Sequence, residues 1–256
     1  MRLEADLAQK NATIGLGAGV SSDMVDNAGA QGPMGGPPLT CDSLKPTITA
    51  SSCHLSTDSF FASASQIVSR NAVVAVTYDL EKLDGFQSNA YRTVVTASGL
   101  LPESHPDTRL RQAVAGSVRL YVPSTHTTFI PAYRYYRDDW HIRAHTPELR
   151  VVQEVGKHAD AAVRFRYYHQ SAAFFYEDRY GTIDTTTVHY ITDDPKMSAF
   201  DGELMEAKLG IYGSEFGLGG QWAGARFEGV LEYIVQNNRF GNAAEAQLAL
   251  TYPFNY

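Results

Sequence analysis

No stretch of this 256-residue chain approaches the ~18 continuous apolar residues that a helix needs to cross a bilayer. A helical membrane span is therefore excluded within it. The opening residues, MRLEADLAQK, lack a basic segment followed by an apolar one, so no secretion signal is read there. Positive charge is scarce and scattered: 21 Lys and Arg stand against 28 Asp and Glu, a net charge of −7. That balance excludes a nucleic-acid footprint. Helical spacing of apolar residues is hard to find. Cysteine is nearly absent. The two present, Cys41 and Cys53, share one Gly/Pro/Ser-rich stretch. An even count at short spacing in a loop fits a disulfide formed outside the reducing cytosol.

Alternation with a period of two is abundant. Leu110, Val114, Val118, Leu120 and Val122 oppose Arg109, Arg111, Ser117, Arg119 and Tyr121. Ala161, Val163, Phe165 and Tyr167 oppose Arg164, Arg166, Tyr168 and Gln170. Phe227, Leu231, Tyr233 and Val235 oppose Arg226, Glu228 and Glu232. Residues 1–8, 11–20 and 72–80 alternate likewise, and weaker strands are read near 57–68, 127–137, 147–155 and 203–221. Tyrosine is the commonest aromatic, 15 against 12 Phe, and its apolar ring and polar tip suit a membrane interface. A soluble sandwich also alternates, so connection lengths must decide. Short links near 9–11, 69–71, 123–126 and 156–160 alternate with long ones at 23–56, 81–108, 138–146 and 173–197. Short turns on one rim and long loops on the other mark an all-β, antiparallel, up-and-down transmembrane β-barrel of the outer-membrane type.

The chain ends AAEAQLALTYPFNY. Leu248, Leu250, Tyr252, Phe254 and Tyr256 fall on one face. In lipid every backbone group must be paired, so a barrel closes on itself. An aromatic terminus with apolar residues at each second position resembles the signal read by the outer-membrane insertion machinery. Two further stretches, PAYRYYRDDWHIRAHTPEL and VRFRYYHQSAAFFY, resemble the hallmark segments of an outer-membrane family of Gram-negative bacteria, domain of unknown function 3570. SRNAVVAVTYD and MSAF agree more loosely. The resemblance runs from about residue 57 to the end. It implies the fold and the bacterial outer membrane, and carries over no activity, catalytic residue or cofactor. It also implies a signal peptide and further strands upstream. Eleven strands are counted here, the first and last in one sense, whereas bacterial barrels have even numbers. The expectation is one barrel domain over 1–256, the C-terminal portion of a larger barrel, with 23–56, 81–108 and 173–197 as long external loops. If YGSEF within 203–221 is a turn, the count becomes twelve.

Candidate chemistry is sparse. His169 and Ser171 share a strand face, so an imidazole could take the hydroxyl proton. That spacing resembles the outer-membrane phospholipases, but SAAFF replaces the Asn-Gly expected after the serine, and no orienting acid is evident. His141 and His145 lack a third metal ligand, and Trp140 beside them reads as an interfacial anchor. Glu177, Asp178, Asp184, Asp193 and Asp194 follow no calcium-loop spacing. The broader candidate is the lumen: Arg109, Arg111, Arg119, Arg134, Arg150, Arg164 and Arg166 with Glu154, Glu206, Glu228 and Glu232 share the inward parity. A charge-lined passage selects solutes by field and width. The reading is a passive channel or transport barrel, not an enzyme, with no cofactor. Its partners are outer-membrane lipid, the barrel-assembly machinery and small solutes, with no nucleic acid. The alternatives are a non-conducting structural or assembly barrel acting through its external loops, and a lipid-facing hydrolase using Ser171 and His169.

Overall fold

A segment whose every second side chain is apolar exposes one greasy face as a strand, and pairing with a like neighbour satisfies its backbone. The computed structural model describes residues 1–26, 40–43, 45, 50, 52–97, 99–184, 187 and 189–253. Its strands are β1 (Arg2–Leu7), β2 (Ala12–Asp26), β3 (Ser52–Ser69), β4 (Ala72–Gly85), β5 (Thr93–Thr96), β6 (Gly99–Pro102) and β7 (Thr108–Val122). They continue with β8 (Thr127–Asp138), β9 (Arg143–Val155), β10 (Ala159–Gln170), β11 (Phe200–Tyr212), β12 (Arg226–Gln236) and β13 (Ala243–Thr251).

Eleven of these form one sheet in the order β1-β2-β3-β4-β7-β8-β9-β10-β11-β12-β13, and β5–β6 form a separate hairpin. Every pairing in the large sheet is antiparallel. The protein is therefore all-β, antiparallel and up-and-down, with the strand number that the alternation predicts. Among the described residues β1 and β13 pair on one side only, so the sheet is not closed.

Two connections depart from expectation. The link expected to be long at 138–146 spans only residues 139–142, because β9 already begins at Arg143. Asp138 Oδ1 accepts from the Ile142 amide at 2.9 Å, and the Asp138 amide donates to Ile142 O at 3.0 Å. Those two bonds turn the chain sharply, with His141 at φ 70°. The second departure is at 203–221. The strand stops at Tyr212, and 3-10 turns follow at Gly213–Phe216 and Gly220–Gly224. YGSEF is a turn, yet no twelfth strand forms. Gly213 donates to Ala225 O at 2.7 Å, and a Cβ on it would lie 1.9 Å from Trp222 O. That close approach folds 213–225 back on itself instead of extending it.

Cys41 and Cys53 are joined, S–S 2.03 Å. Cys53 opens β3 and is buried against Phe86, with Val25 and Ala90 alongside. The bridge fastens a loop to the sheet rather than one strand to another. Cys41→Ala/Cys53→Ala is expected to cost roughly 3 kcal/mol by loop-closure entropy. Protease should cut the released loop while the sheet's circular-dichroism band persists.

The two faces of the sheet differ completely. One register line, Leu120–Phe129–Val151–Val163–Ala207–Leu231–Ala246, crosses seven strands and is apolar throughout. Val163, Leu231 and Leu248 on this face are 57%, 64% and 92% exposed. No second sheet covers it among the described residues. A soluble protein rarely exposes more than a few hundred Å² of contiguous apolar surface, and this strip crosses seven of the eleven strands. The best-buried large side chains lie elsewhere, at the end of the sheet where the long connections gather: Val94, Trp140, Ile142, Phe175 and Ile191.

Candidate functional site

The opposite face carries the charge. Arg150, Arg164, Glu206, Glu232 and Glu245 are successive register partners on β9 to β13. Like charges directly opposite one another destabilise a sheet, so this order is not what stability alone would select. Arg164 offsets part of the cost by holding two acids, Glu206 at 2.7 Å and Glu232 at 2.9 Å. A second group lies towards the short-turn end, where Arg226 meets Asp160 at 2.6 Å and Glu228 at 3.0 Å, and Lys208 meets Glu228 at 2.8 Å. The Arg164–Glu232 and Arg226–Asp160 contacts each pass over an intervening strand. Side chains of β9 to β13 line one hollow of about 390 Å³ that includes Arg150, Arg164, Glu232 and Glu245.

Further along this face the charge is uncompensated. Among the described residues, Arg119, Arg134, Arg150 and Arg166 have no carboxylate within ion-pair distance, and Arg150 Nε has no hydrogen-bond partner. The wall thus has a basic flank on β7 to β10 and an acidic flank on β11 to β13. Over β2 and β3 the same face carries mostly glycine and serine, with Phe61 opposite Gly17. A Cβ at Gly15 would sit 2.5 Å from Ser63 Oγ, and one at Gly19 2.9 Å from Ser59 Oγ.

The long connections close over one end of this face as a packed cap. The 86–107 and 171–199 connections pair through Ser104 and Ile191, with backbone bonds of 3.0 and 2.8 Å. Trp140 donates to Thr108 O at 3.0 Å and packs edge-on against His105 and Phe175, both ring centroids 5.1 Å away. Arg109 lies 4.0 Å above the Trp140 ring and donates to Asp138 Oδ2 from Nε at 2.9 Å and Nη2 at 2.5 Å. Glu103 accepts from Thr192 Oγ1 and from the Asn89 amide at 3.0 Å, and lies 3.2 Å from His105 Nε2. Burial alone would push its carboxyl up. The contacts from His105, Thr192 and Asn89 outweigh that and hold it below its ordinary value.

The expected lumen residues are placed on one face, but not as one set. Arg111 pairs with Glu81 at 2.9 Å, and Glu154 lies 3.6 Å from His126 at the short-turn end. Arg109 is a correction: it is buried in the cap with Asp138 and does not line an open surface. Trp140 is likewise no interfacial anchor; it is 2% exposed at the centre of the cap. Asp79, Glu148, Asp160, Lys208 and Glu245 lie on the same charged face, Glu148 as the register partner of Arg166, and the alternation that marked the others marks them too. Leu248 and Leu250 lie on the apolar face, and Tyr252 packs edge-on against Trp222 with centroids 4.7 Å apart. Phe254 and Tyr256 lie outside the described residues.

The other candidates separate. His169 does have an acid, Asp201, at 2.8 Å. Ser171, however, donates to His141 O at 3.0 Å and accepts from the Arg143 amide at 2.9 Å, so its hydroxyl is tied to backbone. His141 packs on Phe174, whereas His145 meets Tyr133 and Tyr135. Asp193 and Asp194 face Arg92 at 3.7 and 3.6 Å, and Asp178 meets Arg239 at 3.0 Å. Among the described residues no three ligands converge as a metal site would require.

None of the curated proteins compared with the chain matches it. It is similar in structure to the outer membrane protein OprD from Pseudomonas aeruginosa, with a TM-score of 0.49 and 9% identity over 99% of this chain and 67% of that one. The model of the family described as "Protein of unknown function (DUF3570)" matches residues 1–249, reaching well before the stretches that carried the resemblance. The chain belongs to that family.

Proposed function

We propose that this sheet forms the wall of a β-barrel in a bacterial outer membrane and that its charged face lines a watery passage for small charged solutes. The observation that carries the reading is the division of the wall: an uncovered apolar face on one side and a row of Arg and Glu on the other. Hydrocarbon outside and water inside accommodate both faces at once. The apolar face of β13, with Leu248 and Leu250, then serves the assembly machinery, and lipid is the bulk partner. The capped end, with its long connections and disulfide, faces the cell exterior. The cap also favours a second reading, a non-conducting barrel that acts through its external loops, because a packed cap narrows the mouth.

Planar-bilayer recording of the full-length protein tests the first reading. Stepwise conductance is expected. Arg119→Glu/Arg150→Glu should move the reversal potential towards cation preference, since these guanidiniums have no paired acid to compensate. Protein that inserts but shows no steps would favour the loop-acting barrel.

A further inference from the structure

Arg137 on β8 and Arg143 on β9 are direct register partners on the apolar face, and both are exposed. Two cations directly opposite across adjacent strands repel. Among the described residues neither has a carboxylate within ion-pair distance. Asp138, adjacent to Arg137 in sequence, is held by Arg109 and Tyr136, Asp139 pairs with neither, and Asp201 is engaged by His169, Tyr167 and Asn237. Among the described residues the one side-chain hydrogen bond of the pair is Arg137 Nη2 to Gln112 Oε1 at 3.2 Å.

Their level on the wall says what they meet. Moving along β8 to β10 towards the capped end, Phe129, Val151 and Val163 come first, then Leu149 and Phe165. Tyr133 follows, with Tyr167 two strands away, and then the line Tyr135–His145–His169. Arg137 and Arg143 form the next line outward. Hydrocarbon-facing residues, then tyrosines, then paired arginines is the order of depth from acyl chain through interface to headgroup. The platform beneath is fixed. Ser171 Oγ bonds both His141 O and the Arg143 amide, and Trp140 and Ile142 are buried in the cap. Both arginines are exposed on this face, at the level where the membrane reading puts headgroups.

We infer that Arg137 and Arg143 form a binding site for a phosphate-bearing lipid headgroup in the outer leaflet. A guanidinium presents paired donors matched to phosphate oxygens, and one phosphate between the two removes their mutual repulsion. This also gives Ser171 a positioning role in place of a nucleophilic one. The inference rests on the membrane-barrel reading above.

The full-length protein in phosphatidylcholine nanodiscs doped with lipid A, a phosphorylated glycolipid, provides the test, with retained lipid counted by native mass spectrometry. Wild type is expected to retain lipid A. Arg137→Gln/Arg143→Gln should weaken retention roughly thirtyfold, at about 1 kcal/mol per basic side chain near an anionic surface. Arg137→Lys/Arg143→Lys should keep much of it, and dephosphorylated lipid A should be held no better by wild type than by the Gln variant. Equal retention by wild type and the Gln variant overturns the site, as does equal retention of the dephosphorylated lipid by wild type. Inorganic phosphate binding as tightly as lipid A would assign the pair to a free anion and overturn the lipid assignment. Failure of wild type to enter nanodiscs sinks the barrel reading and this site together. Entry without arginine-dependent retention sinks this site alone.

Discussion

Val163→Arg is expected to destabilise the folded protein in a bilayer by roughly 2–4 kcal/mol, the cost of a guanidinium near mid-membrane on a barrel's lipid face. Val163 lies mid-strand on β10, flanked across the sheet by Val151 and Ala207, and is 57% exposed. In water an exposed Val→Arg change is close to neutral, so a large penalty requires hydrocarbon. Ser117→Arg is the matched control. Ser117 sits opposite Ala75 and Ala132 on the charged face, where the proposed passage would leave a further guanidinium in water. Denaturant titration of both variants refolded into vesicles gives the contrast. Penalties of equal size on the two faces would remove the basis for assigning lipid to one and water to the other.

That contrast was legible in the sequence because a strand sorts neighbours onto opposite faces by geometry alone. Val163 beside Arg164 already states it. What Arg164 holds was not legible. Glu206 is its register partner on β11 and Glu232 lies a strand further, and register between strands forty residues apart leaves no local trace. The cap was hidden for the same reason. DDWHIRAH is polar and aperiodic, so Trp140 looked like an interfacial residue, yet its neighbours His105 and Phe175 come from connections on either side of it in sequence. Asp201, the acid beside His169, lies 32 residues downstream of it.

Arg109→Met is expected to open the cap, at a cost of roughly 3–5 kcal/mol, because removing one partner of a buried pair strands the other. The Asp138 side chain is 0% exposed and that of Arg109 7%. Asp138 would keep only Tyr136 OH and the Ile142 amide, while Trp140 would lose the cation above its ring. Protease should then nick 86–107 and 171–199, with the sheet intact. Arg109→Met/Asp138→Leu should recover most of the loss, since no charge is then left buried alone. Acid should act on the same cap through Glu103. Its carboxyl is held below the ordinary value of 4.5, so its contribution is present above that pH and is lost as pH falls through the lower, folded value. The cap should thus survive mild acid and loosen only in stronger acid, and Glu103→Gln should flatten that dependence.

In the proposed passage, the glycines at alternate positions of β2 would give the bore an off-axis shape. Opposite Gly15 and Gly19 the wall carries only Ser63 and Ser59, with Phe61 between them, whereas long ionic side chains crowd β9 to β13. A solute in that passage would be displaced towards the thin side, where it would brush amide and hydroxyl dipoles. Its orientation would then be set at a distance by the separated plus and minus flanks, so a dipolar molecule would be turned end-on in transit without being gripped.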